Sequence, residues 1–146
     1  MAAHVTAIDT NVVIASLLAW HEFHNRAKSA LAGARGRGER LILPLPVMVQ
    51  AFAVMTRLPP THGLPPGQAR DAMRASFRDA AEVVAPSADS GWRLLDDAIA
   101  LRVQGGGLFD FQILECAAAA GASRLLTFDA DDFRRFGPRG VEIVAV

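Results

Sequence analysis

His4-Val5-Thr6-Ala7-Ile8-Asp9-Thr10-Asn11-Val12 is the stretch on which the fold turns. Residues 4–8 alternate and close on an apolar pair, which predicts a short buried strand that stops at Asp9. Thr10 and Asn11 are helix-capping residue types, and residues 12–18 carry a continuous apolar face, so a helix follows at once. Strand, acid, cap and helix in that order matter for function. The carboxyl ends of the strands in an open parallel sheet share one edge, and ligands collect there at the switch in strand order.

The same alternation continues downstream. A second helix is expected over Glu22–Leu31, closed by Gly33 and followed by a Gly/Arg loop to Arg40. Leu41–Leu43 is the next strand, and Pro46 sits where a first helical turn tolerates proline, opening Val47–Arg57. Leu58–Gly67 holds four prolines and two glycines and is a structured loop. Gln68–Ala80 is helical, with Arg70, Arg74 and Arg78 at four-residue spacing on one face, the pattern of a solvated helix surface. Glu82–Ala85 is a strand, Ser87 or Asp89 caps a helix reaching about Val103, and Gly105–Gly107 makes a hinge or close-approach loop before Asp110. Phe111–Ala120 is a small-residue helix ended by Gly121, Arg124–Thr127 a strand, Asp129–Arg135 a tight turn or short helix, and Val141–Val146 a closing strand. Five strands alternating with helices indicate a parallel α/β sandwich.

The 146 residues suit one domain with its own core. Apolar residues make up 51% and charged ones 21%, the balance of a soluble globular protein. The apolar runs are too short to span a bilayer and the N-terminus lacks a signal-type pattern, so the cytoplasm is the expected location. Cys116 is the single cysteine and reads as a small core or helix-interface residue. A net charge of zero argues against gripping nucleic acid by bulk electrostatics, although all but Lys28 of the 15 basic residues are arginines, whose planar fork suits phosphate. His21 and His24, three apart, lack the cysteine partners of a zinc site and read as an exposed helix start. Trp20, Phe23 and Trp92 read as core or partner-contact residues.

Asp9, Asp110, Asp129 and Asp132 each fall where a strand hands over to a helix or turn, or in the first turn of the helix leading into a strand. Carboxylates crowded in a cleft repel unless they hold a proton or a cation, and hard oxygen ligands suit Mg²⁺ or Mn²⁺. Two other folds with clustered aspartates fit poorly. A phosphoacceptor receiver needs a late-strand lysine, and Lys28 is the only one; a haloacid-dehalogenase-type phosphatase needs a second Asp two residues after the first, where Asn11 stands.

Ile8-Asp9-Thr10-Asn11-Val12, Leu43-Pro44 through to Leu58, Phe109-Asp110 opening a helix, and Leu126-Thr127-Phe128-Asp129 before Asp132-Phe133 resemble the PIN domain, especially its VapC-type toxin branch, over nearly the whole chain and in order. The resemblance implies a three-layer α/β/α sandwich with a five-stranded parallel sheet and a Mg²⁺-dependent (Mn²⁺ possible) endoribonuclease, the toxin half of a toxin–antitoxin pair. By position, Asp9 and Asp110 would be the principal metal ligands, with Asp129 or Asp132 as the further acid, Thr127 holding a water or a neighbouring carboxylate, and Asn11 bracing the site. It further implies an RNA substrate, a homodimer, and a small antitoxin that covers the cleft. Arg57, Arg70, Arg74, Arg134 and Arg135 are candidates for holding the RNA backbone. One position departs from the pattern: where the family carries its second acid, on the helix after strand two, this chain has Gln50, which keeps the shape and loses the charge. The alternative is therefore a PIN-fold protein with weakened or absent nuclease activity that binds RNA or a protein partner. Glu115 lies five residues past Asp110, about 140° round the helix, and is expected to point elsewhere.

Overall fold

The computed structural model describes residues 3–146. Five strands run through its centre: β1 (Val5–Ile8), β2 (Arg40–Pro44), β3 (Ala81–Val84), β4 (Arg124–Thr127) and β5 (Glu142–Ala145). They pair in the order β3-β2-β1-β4-β5, every pair parallel. The central strands are near-continuous buried runs, Thr6-Ala7-Ile8, Leu41-Ile42-Leu43 and Leu125-Leu126, because a parallel sheet is covered on both faces.

The seven helices among the described residues are α1 (Thr10–Leu17), α2 (His24–Gly36), α3 (Leu45–Arg57), α4 (Pro66–Phe77), α5 (Ser90–Ala100), α6 (Gly107–Ala119) and α7 (Ala130–Arg134). From β1 to β3 the chain steps outward in one direction; it then crosses back to β4 and β5 in the other. Right-handed crossovers therefore put α1–α4 on one face and α5–α7 on the other. Packing agrees: α1 lies on α2 and α3, α3 on α4, α5 on α6, and α6 on α7. This is the expected three-layer sandwich. The larger helices turn a short apolar stripe inward, such as Val47, Ala51 and Met55 of α3 or Ala69, Met73 and Phe77 of α4, whereas α5 buries only Ala98. Burying one large side chain of this kind stabilises by about 2–3 kcal/mol.

Several boundaries differ from expectation. α2 runs through Gly33 to Gly36, because Ala27, Leu31 and Ala34 form one buried stripe whose packing outweighs the cost of a mid-helix glycine, about 1 kcal/mol. The turn into β2 comes at Gly38, whose φ of +75° suits glycine. α4 starts at Pro66 rather than Gln68, since a proline at the first position forfeits no helical hydrogen bond. Asp89 flanks α5 without a side-chain capping bond, and the helix ends at Ala100. Trp20 and Trp92 are 52% and 79% exposed and so are not core residues, whereas Cys116 is buried.

At the amino edge of the sheet the Glu39 carboxylate is buried among Thr6 Oγ1, Arg37 and Arg124, with contacts of 2.7–3.1 Å. Burial alone would raise its pKa; the hydrogen bonds and charges of Arg37, Thr6 and Arg124 outweigh that and hold it below the ordinary value. No described helix is long and apolar enough to cross a membrane.

Candidate active site

The opposite, carboxyl edge of the sheet is acidic. β1 and β4 sit side by side with Ile8 paired to Leu126, so the residues that leave these strands, Asp9 and Thr127, are neighbours at the point where strand order reverses. Asp9 itself is the N-cap of α1, displacing Thr10 and Asn11 from the capping role: its Oδ1 accepts from the Thr10 N–H at 2.7 Å. Its Oδ2 accepts from the Thr127 hydroxyl at 2.7 Å, and that hydroxyl accepts in turn from the Asp129 N–H at 3.0 Å.

Asp9 is only 4% exposed. Burial pushes its pKa from an ordinary 3.8 to about 6; the hydrogen bonds from Thr127 and Thr10 oppose that rise, and the charges of Asp110 and Asp129 add to it. Asp110, in the first turn of α6, is also raised, by burial first and then by Asp132, with Arg135 pulling the other way and Asp129 adding a further push. The four acids thus feel one another electrostatically. None of them forms an ion pair with Lys or Arg among the described residues.

The residues freed from capping link the site together. Asn11 Nδ2 donates to Asp129 Oδ2 at 2.9 Å while its Oδ1 accepts from the Phe128 N–H at 3.4 Å, and the Thr10 hydroxyl donates to Gln50 Oε1 at 3.1 Å. Gln50 therefore reaches the edge from α3, in one helical layer, while Asp110 and Asp132 come from α6 and α7 in the other. Asp131 is fully exposed beside Arg134, and Glu115 pairs with Arg139 at 3.5 Å. His21 and His24 are each engaged locally, with the Phe23 N–H and the Ala15 carbonyl.

The expected arginines divide. Arg70 and Arg74 line a groove between α3 and α4 in which none of the four acids lies. Arg57 closes α3, about 10 Å beyond Gln50 along the helix. Arg134 is turned to Asp131 and the Ile143 carbonyl, and Arg135 alone of the five acts on an acid of the site, Asp110. Periodicity gave no sign of two further features: the Thr10–Gln50 link, and the stack of Phe23 on Phe128 at 5.0 Å beneath Arg26, which borders Asp129.

Four carboxylates with no imidazole or thiolate among them form a hard-oxygen donor set, and the raised pKa values of Asp9 and Asp110 mark charge left uncompensated. Among the described residues no three Asp, Glu, His or Cys side chains are close enough to enclose an ion. Asp9 and Asp110 would offer hard oxygen ligands to a cation whose remaining positions are taken by water and substrate.

The sequence model of the PIN domain matches residues 6–137. The chain belongs to the PIN domain family. This PIN domain is 34% identical over 142 residues to Ribonuclease VapC40 of Mycobacterium tuberculosis, covering 96% of this chain and 98% of that one. Its fold matches M. tuberculosis VapC20, a sarcin-ricin loop cleaving toxin, with a TM-score of 0.71 at 18% identity over 94% of this chain and 98% of the other. It also matches a chain of Rickettsia felis VapBC2 bound to a promoter DNA fragment, with a TM-score of 0.68 at 14% identity, covering 97% and 98%.

Proposed function

We propose that this PIN domain is a Mg²⁺-dependent endoribonuclease, with Mn²⁺ as a substitute ion, and the toxin of a toxin–antitoxin pair acting in the cytoplasm as a single domain. The observation that carries the proposal is the Asp9 carboxylate at the switch in strand order, its pKa raised by burial and further by its acidic neighbours. A 34% identical ribonuclease of matching length supports it. Asp9 and Asp110 would hold the cation, with Asp129 or Asp132 as the further acid. A divalent cation there supplies an acidified water and neutralises charge on a phosphodiester under attack. Thr127 fixes the Asp9 carboxylate and the Asp129 backbone at once, and Asn11 fixes the Asp129 side chain, so both acids are held before substrate arrives. Arg135, whose charge acts on Asp110, would meet an RNA phosphate.

The partners follow the same reading: RNA as substrate, and a small antitoxin that covers the cleft. We further propose a homodimer through α5, whose Trp92, Leu95 and Ile99 form an exposed apolar stripe.

A second reading, a PIN fold with weakened cleavage that works by binding, is favoured by Gln50, an amide bonded to Thr10 where a carboxylate would complete the acid set. RNA cleavage in Mg²⁺ or Mn²⁺ by wild type, Asp9→Asn and Gln50→Glu separates the two. Wild-type cleavage that falls at least about 100-fold in Asp9→Asn supports the nuclease. Absence of Asp9-dependent cleavage, with metal-independent RNA or protein binding, selects the second reading, and a gain in Gln50→Glu assigns the defect to the amide.

A further inference from the structure

Trp20 is 52% exposed, yet its ring is fixed in place. Its Nε1–H donates to the His62 carbonyl at 2.9 Å, and the His62 ring meets it in a T-shape at 5.0 Å between centroids. His62 is held in turn. Its N–H donates to the Pro59 carbonyl at 2.8 Å, inside the loop of four prolines, and the Leu64 N–H ties that loop to the Met55 carbonyl of α3 at 3.0 Å. Ordering a free surface side chain on binding costs affinity. Here the fold orders the indole in advance and leaves more than half of its surface to solvent.

The indole is also the outer end of a row of rings. Trp20 lies 5.9 Å from the His21 ring, His21 5.9 Å from Phe23, and Phe23 5.0 Å from Phe128. Phe128 stands between Thr127 and Asp129 of the candidate active site, and its N–H donates to Asn11 at 3.4 Å. The middle of the row is pinned by the Phe23 N–H, which donates to His21 Nδ1 at 3.1 Å. At the inner end the Arg26 guanidinium covers both phenyl rings, 4.8 and 5.5 Å from their centroids, and it has no ion-pair partner among the described residues. The row therefore leads from the acids, past an unpaired cation, to an open indole.

We propose that Trp20 stacks on a base of single-stranded RNA whose backbone continues toward the acids, so that it positions the substrate and selects unpaired strands over duplex. A rigid aromatic face beside a cation is how single strands are held, and a base inside a duplex has no free face to offer. The choice of RNA rests on the nuclease proposal. An apolar protein stripe fits less well, because both rings flanking Trp20 are imidazoles, and Thr61 Oγ1 bonds to the nearer one, His62, at 2.9 Å. A base has a flat π face for the indole and polar edges for the imidazoles.

The test uses Asp9→Asn protein in Mg²⁺, which keeps the RNA intact while binding is read. Tryptophan fluorescence reports the ring directly, since Trp20 and Trp92 are the two tryptophans and Trp92 lies on α5 in the other helical layer. A single-stranded RNA of about eight nucleotides should quench the emission, and the same RNA as a duplex should not. In Trp20→Phe, where Trp92 alone emits, the quenching should vanish. Affinity, from the anisotropy of labelled RNA, should fall at least about 5-fold in Trp20→Ala and recover in Trp20→Phe, which keeps a π face and loses the hydrogen bond to His62. Circular dichroism confirms folding of both variants. Equal losses in the two would make Trp20 a structural tether and overturn the proposal. So would absence of quenching, quenching that persists in Trp20→Phe, equal quenching by duplex, or unchanged affinity in Trp20→Ala. An emission blue shift that grows with protein concentration in the absence of RNA would assign the ring to a contact between copies and overturn it too. Cleavage is read apart, in proteins that retain Asp9: Trp20→Ala should raise KM for single-stranded RNA and leave kcat nearly unchanged. If wild type does not cleave, the nuclease proposal falls and the fluorescence result still decides the role of Trp20.

Discussion

Asp9→Asn is expected to stabilise the metal-free protein at neutral pH and to lose that advantage near pH 4. The native state holds the Asp9 proton more tightly than the unfolded chain, with a pKa of about 6 against an ordinary 3.8. Between those values the native state binds more protons than the unfolded one, so stability falls as pH rises and the full penalty is present above about pH 6. At about 1.4 kcal/mol per pH unit the penalty is about 3 kcal/mol. Asparagine removes the charge and still accepts the Thr10 N–H, but its amide faces the Thr127 hydroxyl, which loses its acceptor at a cost of about 1 kcal/mol. The net gain of about 2 kcal/mol corresponds to a rise in Tm of about 4–8 °C. The assay is thermal unfolding followed by circular dichroism in EDTA at pH 7.5 and pH 4. Mg²⁺ at ten times its Kd should then raise wild-type stability by about 1.4 kcal/mol and leave the variant unmoved. A variant no more stable than wild type at pH 7.5, or equally favoured at pH 4, would show that the Asp9 charge is not a burden on the fold.

Glu39 should behave with the opposite sign. Its pKa is held down in the native state, so its contribution is fully present above about pH 4.5 and is lost progressively as pH falls through the native-state value; Glu39→Gln should cost about 2 kcal/mol at pH 7 and progressively less as the solution is acidified below pH 4.5, measured by urea unfolding. Thr127→Val removes a hydrogen bond that lowers the Asp9 pKa, so the acidic limb of the cleavage pH profile should move to higher pH, and an unmoved limb would dissociate the two residues. Gly63→Ala should destabilise by about 2 kcal/mol in chemical denaturation, because a methyl there would come within 2.7–2.9 Å of the Leu58 and Met55 carbonyl oxygens, which are backbone and yield little.

Local chemistry was enough to place much of this protein. The strand that stops at Asp9, the strand Arg124–Thr127 and the helix whose first turn holds Asp110 were all legible from period and punctuation, because those signals arise between residues a few positions apart. The motif order carried the family and, with it, the three-layer sheet. Tertiary structure decided the rest. Asp9 rather than Thr10 caps α1, which frees Thr10 for Gln50, 40 positions away, and Asn11 for Asp129, 118 positions away. The pairing of Ile8 with Leu126 sets Asp9 against Thr127, and burial at that junction raises its pKa. The Trp20 ring meets His62, and the Phe23 ring meets Phe128, only once the start of α2, the α3–α4 loop and the end of β4 come together. Register, desolvation and facing surfaces depend on segments far apart in the chain, and no local pattern encodes which of them will meet.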